Sequence, residues 1–167
     1  MGASNIYLIG FMGAGKTTIG KLLAGLLSRP FLDLDHEVVA RAGKDIPAIF
    51  KDEGEPAFRE WETRTLKELS GPAVIAPGGG AFMSEENRAW MRAHGKSVYL
   101  EWPLEVLKGR VAGDPNRPLA QDAEAFAALF YKRQFVYGEA DLIWQSKPPH
   151  DTSPVMIAQN IRDMIMN

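Results

Sequence analysis

Residues Gly10-Phe11-Met12-Gly13-Ala14-Gly15-Lys16-Thr17 satisfy the pattern G-x-x-x-x-G-K-[ST] at every fixed position. The flanks fit as well: Ile6-Tyr7-Leu8-Ile9 reads as a buried strand before the loop, and residues 17–28 read as a helix after it. At such a junction the unpaired N–H groups of the first helical turn and the positive end of the helix dipole face the loop and attract an anion. Gly10, Gly13 and Gly15 let the backbone wrap closely around phosphate oxygens. Lys16 adds a mobile positive charge for the β- and γ-phosphates, and the Thr17 hydroxyl can reach a magnesium ion between them. Gly13, Ala14, Gly15, Lys16, Thr17 and Thr18 are therefore the candidate nucleotide contacts, and ATP or GTP the expected ligand.

The remainder of the chain alternates strands with helices. Strands are expected at residues 31–35, 73–76, 97–101 and 142–144, and helices at 36–42, 55–70, 103–111, 123–137 and 154–166, with further helical turns near 47 and 84–91. This alternation predicts an α/β fold: a three-layer α/β/α P-loop kinase arrangement around a five-stranded parallel sheet. In such sheets ligands bind at the carboxyl ends of the strands. That rule gathers the phosphate loop, Asp33 and Asp35, the Gly78-Gly79-Gly80 turn and the loop at 113–122 into one region. A length of 167 residues with 46% hydrophobic content suits one buried core, so residues 1–167 are expected to form a single domain.

Composition narrows the function. A net charge of −2 gives no general pull towards nucleic acid or an anionic membrane, and the absence of cysteine excludes disulfides, thiolate metal sites and a cysteine nucleophile. No apolar run approaches the roughly 20 residues that span a bilayer, and no cleavable signal is evident, so a soluble protein is expected; the cysteine-free composition suits a reducing cytoplasm, and a monomer is the expected state. His36, His94 and His150 have no metal-ligand spacing. Neither N-K-x-D nor D-x-x-G occurs, which argues against a GTPase. The third strand runs into Pro77 and three glycines rather than the acid expected of a motor or transporter ATPase, which favours a small-molecule kinase.

Several further motifs, in order and spacing, resemble the shikimate kinase family over nearly the whole chain. They are the phosphate loop, Asp33-x-Asp35, Ile49-Phe50, Glu53-Gly54-Glu55, Phe58-Arg59-x-x-Glu62, the triple glycine, Arg117-Pro118-Leu119, and Arg133 four residues before Tyr137. The resemblance implies transfer of the ATP γ-phosphate to the 3-hydroxyl of shikimate, a step towards chorismate and the aromatic amino acids, with Mg2+ as cofactor. It implies that Asp35, a catalytic residue together with Lys16 and Arg117, accepts from the substrate hydroxyl and can take its proton, and that Asp33 joins Thr17 in holding magnesium. The substrate region would lie at about residues 33–62, with Phe58, Arg59, Gly78, Gly79, Gly80 and Arg133 as contacts. Residues 113–122 would form a lid that closes Arg117 over the γ-phosphate, with Arg110 near the nucleotide.

The chemistry of these residues is compatible with that assignment. A guanidinium presents paired donors that match a carboxylate, so Arg59 and Arg133 suit the acid group of shikimate. Phosphoryl transfer depends more on positioning and charge than on a base, which makes Asp35 an orienting group and Lys16 and Arg117 the principal catalytic cations. Ordinary alternatives stand beside each role. Arg59 or Arg133 could pair on the surface with Glu55, Glu60 or Glu139; an Asp pair could cap the following helix; Phe50, Phe58 and Trp61 could simply be core. Pro77 and Ala120 depart from the Thr and Leu usual in the family. The rival assignments are a gluconate or nucleoside monophosphate kinase and a nucleotide-binding accessory protein without catalysis.

Overall fold

β1 (Asn5–Ile9) is buried at every position, as a strand covered on both faces must be. The computed structural model describes residues 4–115, 117 and 121–167. β1 lies at the centre of a five-stranded sheet of order β2-β3-β1-β4-β5, in which every pairing is parallel. The other strands are β2 (Phe31–Asp33), β3 (Val74–Ala76), β4 (Gly95–Glu101) and β5 (Leu142–Gln145). The helices are α1 (Lys16–Leu26), α2 (Leu34–Ala42), α3 (Ile46–Glu53), α4 (Glu55–Glu68), α5 (Glu85–His94), α6 (Leu104–Val111), α7 (Ala123–Tyr137) and α8 (Pro154–Met166), with a 3-10 turn at Ala81–Met83.

Successive strand residues point to opposite faces, and this separates the helical layers. Leu8 faces α1 at Gly20, and α8 packs on α1. Ile9 is aligned with Tyr99, whose ring lies 5.2 Å from that of Tyr137 in α7, so α7 covers the other face. The sheet thus has a layer of helices on each side, as the alternation predicted. A second, smaller apolar cluster of Val38, Ile49 and Phe58 joins α2, α3 and α4 away from the main core.

One boundary differs from the sequence reading. The strand expected through Asp35 ends at Asp33, because the Asp33 side chain accepts a hydrogen bond from the His36 N–H at 3.2 Å and caps α2. Asp35 consequently lies in the first turn of a helix rather than at the tip of a strand. Of the lid expected at 113–122, Asn116 and the Pro118-Leu119-Ala120 segment lie outside the described residues.

Candidate active site

The phosphate loop follows β1 and turns into α1 through Gly13 and Gly15, whose φ angles of +86° and +89° belong to the region that favours glycine. Asp33, Asp45, Ser84, Asp122 and Ser153 each cap a helix, whereas Gly15 gives α1 no side-chain cap. Like α4 and α6, α1 thus has leading N–H groups without a side-chain cap, and here they face the phosphate-loop cavity, where a ligand can bond them. Lys16 turns beneath the loop, and its Nζ donates to the carbonyl oxygens of Gly10 at 2.5 Å and Phe11 at 3.2 Å. Burial lowers the Lys16 ammonium to about 8; Arg117 and Arg133 act in the same direction, and Asp35 and Asp33 oppose it.

A cavity of about 500 Å3 opens beside the loop, lined by residues 12–18, Asp33, Asp35, residues 76–79, Arg117 and Arg133. Phosphate loop, acid pair, the first two glycines of the turn and Arg117 therefore share one space, the gathering expected from the topology, and Arg133 of α7 joins them. Burial raises the Asp35 carboxyl, Asp33 raises it further, and Lys16 and Arg59 draw it back. Its Oδ1 is buried without a hydrogen-bond partner among the described residues.

The Gly78-Gly79-Gly80 turn is glycine for a different reason from the phosphate loop. A Cβ on Gly78 would lie 3.0 Å from Asp35 Oδ1, one on Gly79 would lie 2.9 Å from Arg133 Nη1, and one on Gly80 would lie 2.5 Å from Arg59 Nη1. The turn gives up side chains so that an acid and two guanidinium groups from α2, α4 and α7 can close on its backbone. Arg59 and Gly80 also line a second, larger cleft of about 950 Å3 between α4 and α7, which Arg133 joins to the first.

Arg59 does pair with Glu55 at 3.5 Å, as the ordinary alternative anticipated, but its closer partner is Glu62 at 3.0 Å. Glu62 is 1% exposed. Burial pushes its carboxyl up to about 7, Asp35 adds to the rise, and Arg59 and Arg133 oppose it. Phe58 is buried in the α2–α4 cluster and lines neither cavity; it reaches the site through Arg59, whose guanidinium carbon lies 5.2 Å from its ring centroid. Arg117 pairs with Asp114 at 3.3 Å. Arg110 donates to the Gly13 carbonyl oxygen at 2.9 Å, and Thr17 and Thr18 are exposed at the mouth of the smaller cavity.

Four supporting residues escape a reading of the sequence. Tyr137 donates from its hydroxyl to the Gly79 carbonyl oxygen at 2.7 Å, and burial holds its phenol up at about 12. Asn87 and Arg88 of α5 donate to the carbonyl oxygens of Ala81 and Phe82 at 2.9 and 2.7 Å, while Glu139, one of the acids considered for Arg133, pairs with Arg88 at 3.1 Å. Trp102 donates to the Ala14 carbonyl oxygen at 3.0 Å. Only Tyr137 carries a signal, its place four residues after Arg133 in the family-like motif; nothing local to Asn87, Arg88 or Trp102 announces which carbonyl each will find.

The family model described as Shikimate kinase matches residues 12–165. The chain belongs to the shikimate kinase family. A family member from Nitrosomonas europaea is 46% identical over 140 residues, which cover 81% of this chain and 66% of that protein. Another, from Bradyrhizobium diazoefficiens, is 44% identical over 90% of this chain and 76% of its own length. The fold agrees equally well with a solved structure described as shikimate kinase from Acinetobacter baumannii in complex with shikimate: the TM-score is 0.89 at 40% identity, covering 99% of this chain and 94% of that one.

Proposed function

We propose that this chain is an ATP-dependent shikimate kinase that transfers the γ-phosphoryl group to the 3-hydroxyl of shikimate, giving shikimate 3-phosphate and ADP on the route to chorismate and the aromatic amino acids. The observation that carries the proposal is the convergence of Arg59 and Arg133 on the Gly79-Gly80 backbone at the edge of the phosphate-loop cavity. Two forked cations beside a triphosphate cradle suit an acceptor that is itself a carboxylate. The activity that gives the family its name and the shikimate held by the Acinetobacter protein support the same substrate.

In this reading Gly13, Ala14, Gly15, Thr17 and Thr18 wrap the phosphates, Arg110 stands on the nucleotide side, and Lys16 and Arg117 neutralise charge on the group in flight. Arg59 and Arg133 grip the acceptor's carboxylate, Phe58 backs Arg59, and the Gly78-Gly79-Gly80 turn lets the acceptor approach. Asp35 orients the hydroxyl: its Oδ1 is a buried acceptor without a partner among the described residues, and a substrate O–H would complete it. In-line transfer then forms the new O–P bond as the bond to the ADP oxygen breaks, and the hydroxyl proton leaves towards Asp35.

The Thr17 hydroxyl and Asp33 carboxylate both line the cavity and are hard oxygen donors, which fits Mg2+, an ion usually held by one or two protein groups together with substrate phosphates and water. When bound it would supply further charge neutralisation at the phosphates. Among the described residues no helix is long and apolar enough to cross a membrane. A single-domain monomer acting in the cytoplasm, without a nucleic-acid or membrane partner, completes the proposal.

A coupled assay of ADP release, with shikimate, gluconate or AMP offered in turn, tests the reading. Stimulation by shikimate alone is expected; stimulation by gluconate or AMP but not by shikimate would overturn it.

A further inference from the structure

β4 ends against the phosphate loop and delivers Trp102 to it. The indole is buried, and its Nε1–H donates to the Ala14 carbonyl oxygen at 3.0 Å. Arg110 of α6 lies over the same ring, its guanidinium carbon 3.8 Å from the centroid, and donates to the neighbouring Gly13 carbonyl oxygen at 2.9 Å. Trp144 of β5 backs the arrangement, with ring centroids 5.2 Å apart. Two consecutive loop carbonyls are thus held from outside, one by an indole and one by an arginine stacked on that indole.

A trans peptide unit points its C=O and its N–H in opposite directions. With the Ala14 carbonyl fixed on Trp102, the Gly15 N–H is aimed the other way. Within the loop, Lys16 Nζ holds the Gly10 and Phe11 carbonyl oxygens and the Ala14 N–H donates to the Phe11 carbonyl oxygen at 3.1 Å, but the Ala14 carbonyl itself is held from outside, by Trp102, between residues whose φ angles of +86° and +89° only glycine readily adopts. Glycine grants the wrap, and the residue that follows β4 supplies the hydrogen bond to the Ala14 carbonyl.

We propose that Trp102 is a positioning residue for the nucleotide: its indole N–H locks the Ala14–Gly15 peptide plane with the N–H turned to phosphate, and its ring seats the arginine that holds Gly13. The proposal rests on the loop binding phosphates but assigns the task to a residue outside the loop and outside both cavities.

The decisive variant replaces Trp102 with β-(3-benzothienyl)alanine, an isostere in which sulfur stands where the indole N–H was, so shape and ring face are kept and only the donor is lost. ADP binding is measured by titration calorimetry, and KM values for ATP and shikimate in the steady state. The isostere is expected to weaken ADP binding and raise the ATP KM by about tenfold, with the shikimate KM unchanged. Trp102→Phe, which also keeps an aromatic face for Arg110, should match it. An isostere that binds ADP like the parent protein would overturn the proposal, as would an equal loss of affinity for ATP and shikimate, which would mark general loosening. Failure of the unsubstituted protein to bind ADP would instead sink the reading of the loop itself.

Discussion

The two glycine-rich turns of this site reach one cavity by opposite routes. In the phosphate loop, Gly13 and Gly15 are set by their own backbone, at φ +86° and +89°. In the Gly78-Gly79-Gly80 turn the constraint comes from outside, where guanidinium and carboxylate groups from three helices occupy the positions a Cβ would need. The first turn offers N–H groups to an anion. The second offers a bare surface on which cations can be stacked. On the proposed function, a phosphate donor would be held largely by backbone, and a small acid acceptor by side chains that need backbone out of the way.

The contrast predicts that the two halves fail separately. The largest effect belongs to Lys16→Ala, which should reduce transfer by about 10³-fold or more while the chain still folds, since the substitution removes a charge and two hydrogen bonds to loop carbonyls but no part of the apolar core. Turnover preserved in this variant would contradict that role. Next comes the pair of glycine substitutions. Gly80→Ala places a Cβ 2.5 Å from Arg59 Nη1, the far end of a flexible side chain, so the guanidinium should yield and the fold should not. The expected result is a shikimate KM raised by about 10- to 100-fold with the ATP KM unchanged. Gly15→Ala instead imposes about 1–2 kcal/mol of backbone strain on the phosphate loop and should raise the ATP KM by about tenfold, leaving shikimate alone. Kinetics in which each variant affected the other substrate would break the comparison.

The smallest effect sharpens the acceptor side. The Glu62 carboxyl holds its proton up to about 7 in the folded chain, against an ordinary 4.5 when unfolded. Between those values the folded state binds more protons, so this group's contribution to stability is complete below pH 4.5 and is lost as pH rises through 7. Glu62→Gln removes that dependence. The melting temperature of the parent protein relative to the variant should fall by several degrees between about pH 5 and 8, reflecting a difference of a few kcal/mol at most. A pH-independent difference would mean that Glu62 is ionised throughout.

The same contrast separates what is legible in the sequence from what is not. The phosphate loop is legible because its requirements lie within eight adjacent residues, Gly10 to Thr17, flanked by a strand and a helix. Arg59 and Arg133 are picked out by their resemblance to the family's motifs, but not the surface they meet, since Gly80 and Arg59 are brought together only by the packing of α4 beside the turn that follows β3. Alternation alone puts Asp35 on a strand; the cap that Asp33 provides outweighs it and starts the helix two residues earlier than the pattern suggests.

What the residue order determined by itself was the α/β alternation, the parallel sheet and the phosphate loop, because periodicity and backbone conformation are settled over a few neighbouring positions. Tertiary structure alone decided that Glu62 is desolvated, that Trp102 meets Ala14 across a separation of 88 residues, and that three glycines face an acid and two cations. Desolvation and close approach depend on which atoms occupy the same few ångströms, and distant segments enter that space only when the sheet forms and its helices close over it.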